Sequence, residues 1–220
     1  MITTVLYIFS AAIGFWLGGW MSSISRRYGN EGIESIYSFL LVRVLAALAF
    51  SSIAIFMDLS SEWFIAIPFV TALLTISICD WRHLIIPDKI ILPGIVIAAG
   101  LRIFIGPLPY WDYLLAALIG GGIFYLIKII GGFLINEDAL GDGDIKLLLL
   151  TGLVLGLKLT LLSFLIFCFV GTIIGIFFLV IRRKVPTSTL PFGPIISGAT
   201  FISYIWGSNI IQRVYISLLF

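Results

Sequence analysis

Two aspartates stand where a lipid-facing sequence should carry no charge. Asp80 ends the apolar run Ile65–Cys79 and is followed by Trp81, Arg82 and His83. Asp144 opens a second run that continues through Ile145 and Leu147–Leu150. An ionisable side chain at membrane depth is costly, which makes each of them a functional candidate. Either one alone also reads as a helix end at the membrane surface. As a pair they offer a chemistry. Two carboxyl groups held close together resist ionising together and keep one proton between them. The ionised member can then take a proton from water while the protonated member polarises a carbonyl. That is peptide hydrolysis without a covalent intermediate.

The neighbours of Asp144 read Glu137-Asp138-Ala139-Leu140-Gly141-Asp142-Gly143-Asp144-Ile145-Lys146-Leu147-Leu148. Gly141 and Gly143 leave room for a substrate backbone beside the carboxylate. The acidic cluster lacks both the residue spacing and the later glutamate of a calcium loop. Asp88 follows Pro87 at the mouth of an apolar segment, where it also reads as a helix cap. His83 is the only histidine, and Cys79 and Cys168 lie in separate apolar runs with no CxxC. These residues make no zinc site, disulfide or Cys–His couple. Both cysteines read as small buried hydrophobes.

The pair needs elements to hold it, and those elements must live in lipid. Of 220 residues, 61% are hydrophobic and 11% charged, with a mean hydropathy of +1.20. A soluble domain carries about a quarter charged residues. The formal net charge of +2 is too small and too scattered for nucleic acid. The expected fold is all-α, a polytopic transmembrane helix bundle in one domain over 1–220. Apolar runs predict spans at 2–22, 42–58, 63–80, 89–106, 111–135, 145–158, 160–181 and 190–207. Seven spans is the nearest alternative, because Arg43 stands at the start of the second and the sixth is short. Residues 33–42 are read as an interfacial helix leading into span 2. Met1–Met21 has no basic n-region, so it is expected to be a retained helix and not a removable signal.

Basic residues set the orientation. Arg26 and Arg27 follow span 1, Arg82 follows span 3, and Arg182, Arg183 and Lys184 follow span 7. The loops after spans 2 and 4 hold Asp58, Glu62 and Asp112 without Lys or Arg. Lys158, in the loop after span 6, is the exception. Lys/Arg excess marks the cytoplasmic side, which places both termini outside. Two spans separate Asp80 from Asp144, so both carboxylates return to the cytoplasmic face. Gly14, Gly18, Gly19, Gly120, Gly121, Gly122, Gly171 and Gly175 fall within spans and are read as helix-packing positions.

At this point the chain resembles a known family. Gly141-Asp142-Gly143-Asp144-Ile145-Lys146-Leu147-Leu148 is similar to the GxGD-x-K-L-L motif of type IV prepilin peptidases. Asp80 through Ile86-Pro87-Asp88 is similar to their other aspartate motif. Leu190-Pro191-Phe192-Gly193-Pro194 resembles the PFGP segment that opens their last helix. The stretch from Ile13 to Arg27 loosely resembles their first helix and its basic exit. The order matches along nearly the whole chain. The resemblance implies catalysis by Asp80 and Asp144, with Asp88, Gly141, Gly143 and Lys146 shaping the site. It implies a prepilin or pseudopilin substrate with a short basic leader, and an active site at the cytoplasmic face of a bacterial inner membrane. The acidic loop of Glu137, Asp138 and Asp142 is then placed to attract that leader. No cofactor or metal is implied for the peptidase. Larger members insert a segment with two CxxC pairs and also N-methylate the pilin from S-adenosylmethionine. Here that stretch is only Ser22–Val42, without cysteine, which puts methylation in doubt.

Three other readings remain open. Carboxylates near Pro87 and Pro93 suit a proton- or cation-coupled transporter. A signal-peptide-peptidase-like protease shares the GxGD aspartate. A structural membrane subunit needs no chemistry at all.

Overall fold

The computed structural model describes residues 2–28, 36–57, 60–135, 141–181 and 191–219. Of the residues named above, Met1, Asp58, Glu137, Asp138, Ala139, Leu140, Arg182, Arg183, Lys184, Leu190 and positions 33–35 lie outside the described ones.

In lipid a backbone must satisfy its own hydrogen bonds, and a continuous apolar run does so as a helix. The described residues form eight α-helices and a short 3-10 turn, with no strand among them. They are α1 (Ile2–Ser25), α2 (Ile36–Phe56), α3 (Trp63–His83), α4 (Asp88–Phe104), α5 (Tyr110–Ile135), α6 (Asp142–Leu155), α7 (Leu157–Ile181) and α8 (Gly193–Leu219). The 3-10 turn Arg26–Tyr28 closes α1. α1, α2, α3, α5 and α7 are long and apolar enough to cross a membrane. The outer faces stay apolar, with Trp16, Leu118, Leu165 and Phe169 all exposed. This is a multi-pass membrane protein.

Several boundaries differ from the expectation. α2 begins at Ile36, so the described part of the interfacial segment belongs to the second helix itself. Arg43 lies inside that helix because its guanidinium stacks over Phe15, at 5.0 Å, and Phe39, at 4.2 Å. α6 begins at Asp142 and ends at Leu155, three residues earlier than predicted at each end. Only Gly156 separates it from α7, with a positive φ of 74° that a side chain would strain. Lys158 is therefore in the first turn of α7 and not in a loop. α4 runs through Pro93 unbroken. α8 continues to Leu219. Cys79 is buried as expected, but Cys168 is exposed on the outer face of α7.

The helices share two apolar cores. Met21, Ala46, Phe50, Ile53 and Val70 join α1, α2 and α3. Ile76, Ile91, Leu147, Leu150 and Ile196 join α3, α4, α6 and α8. α6 is the inner helix, with Leu147, Leu148 and every residue from Leu150 to Leu155 buried. Small residues permit this. A β-carbon on Gly152 would run into the Ala116–Ala117 backbone of α5, and one on Gly120 would come within 3.2 Å of the Leu148 carbonyl. Gly14 and Gly18 let α1 meet α2 in the same way, whereas Gly122 and Gly175 face open space.

The end of the bundle away from the two aspartates is locked by Arg102. Its guanidinium donates to Glu62 at 2.7 Å and to the Val154 carbonyl, and lies 4.6 Å from the ring centre of Tyr113. Beside it, Asp112 accepts the Leu157 N–H at 2.9 Å. The start of α3, the end of α4, the start of α5 and the α6–α7 junction are thus tied at one level.

Candidate active site

Asp80 occupies the last turn of α3. The helix closes just beyond it at Leu84, whose N–H bonds back to the Asp80 carbonyl at 2.9 Å. Leu84 takes the left-handed conformation that turns the chain towards Pro87 and α4. Asp144 is the third residue of α6, and its N–H bonds to the Gly141 carbonyl at 3.1 Å. The two carboxylates therefore come from the C-terminal end of one helix and the N-terminal end of another. Asp80 is 7% exposed and Asp144 9%, so both have lost most of their water. Asp144 also lies in the field of the Asp80 charge.

A third helix completes the arrangement. The Gly193 N–H, at the first residue of α8, donates to Asp80 Oδ2 at 2.7 Å. A β-carbon at Gly193 would lie 2.7 Å from that oxygen and 2.9 Å from the Asp80 β-carbon. In the sequence Gly193 stands out only as part of the PFGP segment, which by itself does not point to Asp80.

The other site residues are sorted by the same geometry. Lys146 Nζ bonds Asp88 Oδ1 at 2.6 Å, tying the start of α6 to the start of α4. The place of a Gly143 side chain is taken by Ile86, whose β-carbon would lie 2.5 Å away. Gly143 thus serves packing between the two aspartate segments, where free space for a substrate was expected. A β-carbon on Gly141 would meet, among the described residues, the Asp144 carboxylate at 3.2 Å. Asp142 points outward and pairs with Lys128 of α5. That ammonium holds the exposed Asp142 carboxyl below the usual carboxylate range. Among the described residues, no group of three or more His, Cys, Asp and Glu side chains is placed to hold a metal.

The profile of the type IV leader peptidase family matches residues 67–176, half of the chain, and the matched part holds both Asp80 and Asp144. The chain belongs to this family. Curated members are similar over a longer stretch. A prepilin leader peptidase/N-methyltransferase of Pseudomonas putida is 29% identical over 174 residues, which are 77% of this chain and 59% of that protein. The one from Bacillus subtilis is 29% identical over 170 residues, 77% of this chain and 66% of the relative. The one from Aeromonas salmonicida is 28% identical over 179 residues, covering 80% and 60%. The chain thus matches about three fifths to two thirds of the length of these family members. No solved structure matches.

Proposed function

We propose that this protein is a membrane aspartic endopeptidase that removes the basic leader from a type IV prepilin or pseudopilin. One observation carries the reading. Two aspartates on separate helices, both nearly buried, stand at the same end of the bundle, one in the last turn of α3 and the other in the first turn of α6. Lipid excludes such groups unless they are used.

In this reading the dyad holds one proton. The ionised carboxylate draws a proton from a water, and the water oxygen attacks the scissile carbonyl carbon. The protonated carboxyl donates to the carbonyl oxygen as the tetrahedral intermediate forms. Collapse breaks the C–N bond, with the proton passing to the leaving amine. The Gly193 N–H holds one oxygen of Asp80 throughout, so the pair is pre-oriented.

The dyad faces the cytoplasm of a bacterial inner membrane. Arg26, Arg27, Arg82, Lys89, Lys128 and Lys146 lie at or near the dyad end. Lys158 and Arg213 lie towards the other end, as does Arg102, which is paired with Glu62, while Arg43 lies within α2 over Phe15 and Phe39. This bias supports that orientation. The reading covers cleavage and not methyl transfer, and no step is assigned to S-adenosylmethionine. The family resemblance places methylation in members with a cysteine-bearing insertion, whereas the cysteines here sit in α3 and α7. The test is incubation of the purified protein with a prepilin. Shortening by the wild type, lost in Asp80→Asn and in Asp144→Asn, is the expected result. A transporter or a structural subunit leaves the precursor intact.

A further inference from the structure

A groove of about 610 Å³ opens to the outside between α1, α3 and α4. The catalytic proposal makes no use of it. Its wall is mainly apolar, with Leu17 and Trp20 from α1, Pro68 from α3, and Pro93 and Ile97 from α4, and the Thr71 and Thr75 hydroxyls of α3 are bonded to their own helix. Its mouth is basic. Arg27 and Lys89 line it from two different helices, beside Tyr28. Both side chains are exposed, and neither has an ionic partner among the described residues. The nearby Asp88 is engaged by Lys146, so it does not neutralise the mouth.

The dimensions are informative. From Arg27 to Leu17 the helix rises about 15 Å, and from Lys89 to Ile97 about 12 Å. Half of a bilayer's hydrocarbon core is also about 15 Å. Along α3 the lining reaches Pro68, about 18 Å from the level of Asp80, so the groove runs from headgroup level to somewhat past the midplane. A precursor with a basic leader would meet two like charges at the mouth. A diacyl lipid with an anionic phosphate meets no such objection. One acyl chain fits the apolar wall, and the phosphate sits between two cations on separate helices. Tyr28, at the phosphate level, is a residue that membrane interfaces favour.

We propose that the α1–α3–α4 groove binds an anionic phospholipid, with Arg27 and Lys89 holding its phosphate and one acyl chain lying between α1 and α4. Bound there, the lipid bridges the first helix to the helix that follows Asp80. The inference does not depend on the peptidase reading.

Native mass spectrometry of the purified full chain tests it, with equal phosphatidylglycerol and phosphatidylcholine added. The wild type is expected to retain phosphatidylglycerol at least threefold over phosphatidylcholine. Arg27→Ala with Lys89→Ala should abolish that preference. Lys158→Ala with Arg213→Ala removes the same charge from the opposite end and should preserve it. Equal retention of the two lipids by the wild type, or a preference that survives Arg27→Ala with Lys89→Ala, overturns the proposal. Displacement of the lipid by millimolar sodium phosphate also overturns it, because the site would then be one for a free anion. A second measurement needs no charge change. A photoreactive phenylalanine analogue at Ile97, illuminated in phosphatidylglycerol vesicles with a prepilin present, should give a phospholipid adduct. A prepilin adduct there, or none, rejects the lipid assignment.

Discussion

The backbone N–H of Gly193 donates a 2.7 Å hydrogen bond to Oδ2 of Asp80, 113 positions earlier in the chain. This bond couples the last helix to the dyad and leaves no room for a side chain at 193. Gly193→Ala should therefore push the Asp80 carboxyl off its donor without removing either aspartate. We expect kcat for prepilin cleavage to fall about 100- to 1,000-fold, the scale of losing one oriented donor. KM should change less than threefold. Unchanged kcat would show that the bond does not orient the dyad.

The aspartates act as a unit in the proposed mechanism. Asp80→Asn and Asp144→Asn should each lower kcat at least about a thousandfold, and the double variant should be little worse than either single one. Both single variants should accumulate in the membrane at wild-type levels. The wild-type pH profile of kcat/KM should be bell-shaped, since activity needs one proton on the pair. Substantial cleavage by either variant rules out the assignment.

Asp88 and Lys146 tie α4 to α6, but both are partly exposed, at 57% and 35% of their side chains. An exposed pair contributes about 0–1 kcal/mol. Asp88→Asn or Lys146→Met should then reduce kcat/KM less than about fivefold. The charge swap Asp88→Lys with Lys146→Asp should recover part of the loss. A loss as large as that of Asp80→Asn would move Asp88 into the reacting group.

Lys128 pairs with Asp142, so in the proposed reading it would compete there with a basic leader. Lys128→Ala should lower KM for a basic-leader precursor at low salt, with kcat unchanged. The gain should shrink in high salt, where attraction between exposed charges is screened. A precursor whose leader lysines are replaced by glutamate should show no gain. Assays across salt concentrations read this directly. If KM responds equally for both leaders, Asp142 does not contact the leader.

Arg102 is 5% exposed and carries bonds to Glu62 and to the Val154 carbonyl. Arg102→Leu strands Glu62 and that carbonyl, and breaking a buried pair on one side costs about 3–5 kcal/mol. The variant should unfold at a clearly lower temperature, and Glu62→Leu added to it should restore part of the loss. Any residual cleavage should keep the wild-type KM, because Arg102 lies at the end of the bundle away from the dyad.

Much of this protein is settled by local sequence. The apolar runs determine a helical membrane bundle, because lipid leaves the backbone no other partner. Asp80 and Asp144 stand out as charges that such a run excludes, and counting the helices between them puts both at one end. The family motifs are equally local, being short strings around those aspartates. What the sequence left undecided depends on how helices pack. Gly193 meets Asp80 only because α8 starts beside the end of α3. Gly143 lies against Ile86, not open space, because α6 starts three residues before its apolar run and packs its first turn on the Ile86-Pro87-Asp88 turn. Arg102 passes in sequence for a routine basic residue near a helix end, and its two distant partners come from α6 and from the residue preceding α3, beside a local bond to the Ile105 carbonyl. The groove holding Arg27 and Lys89 has no sequence signature either, since its walls come from three helices. Hydrophobic run length and the cost of burying charge are properties of neighbouring residues. Hydrogen bonds, ion pairs and grooves between distant helices come into being only when the tertiary structure brings those helices together.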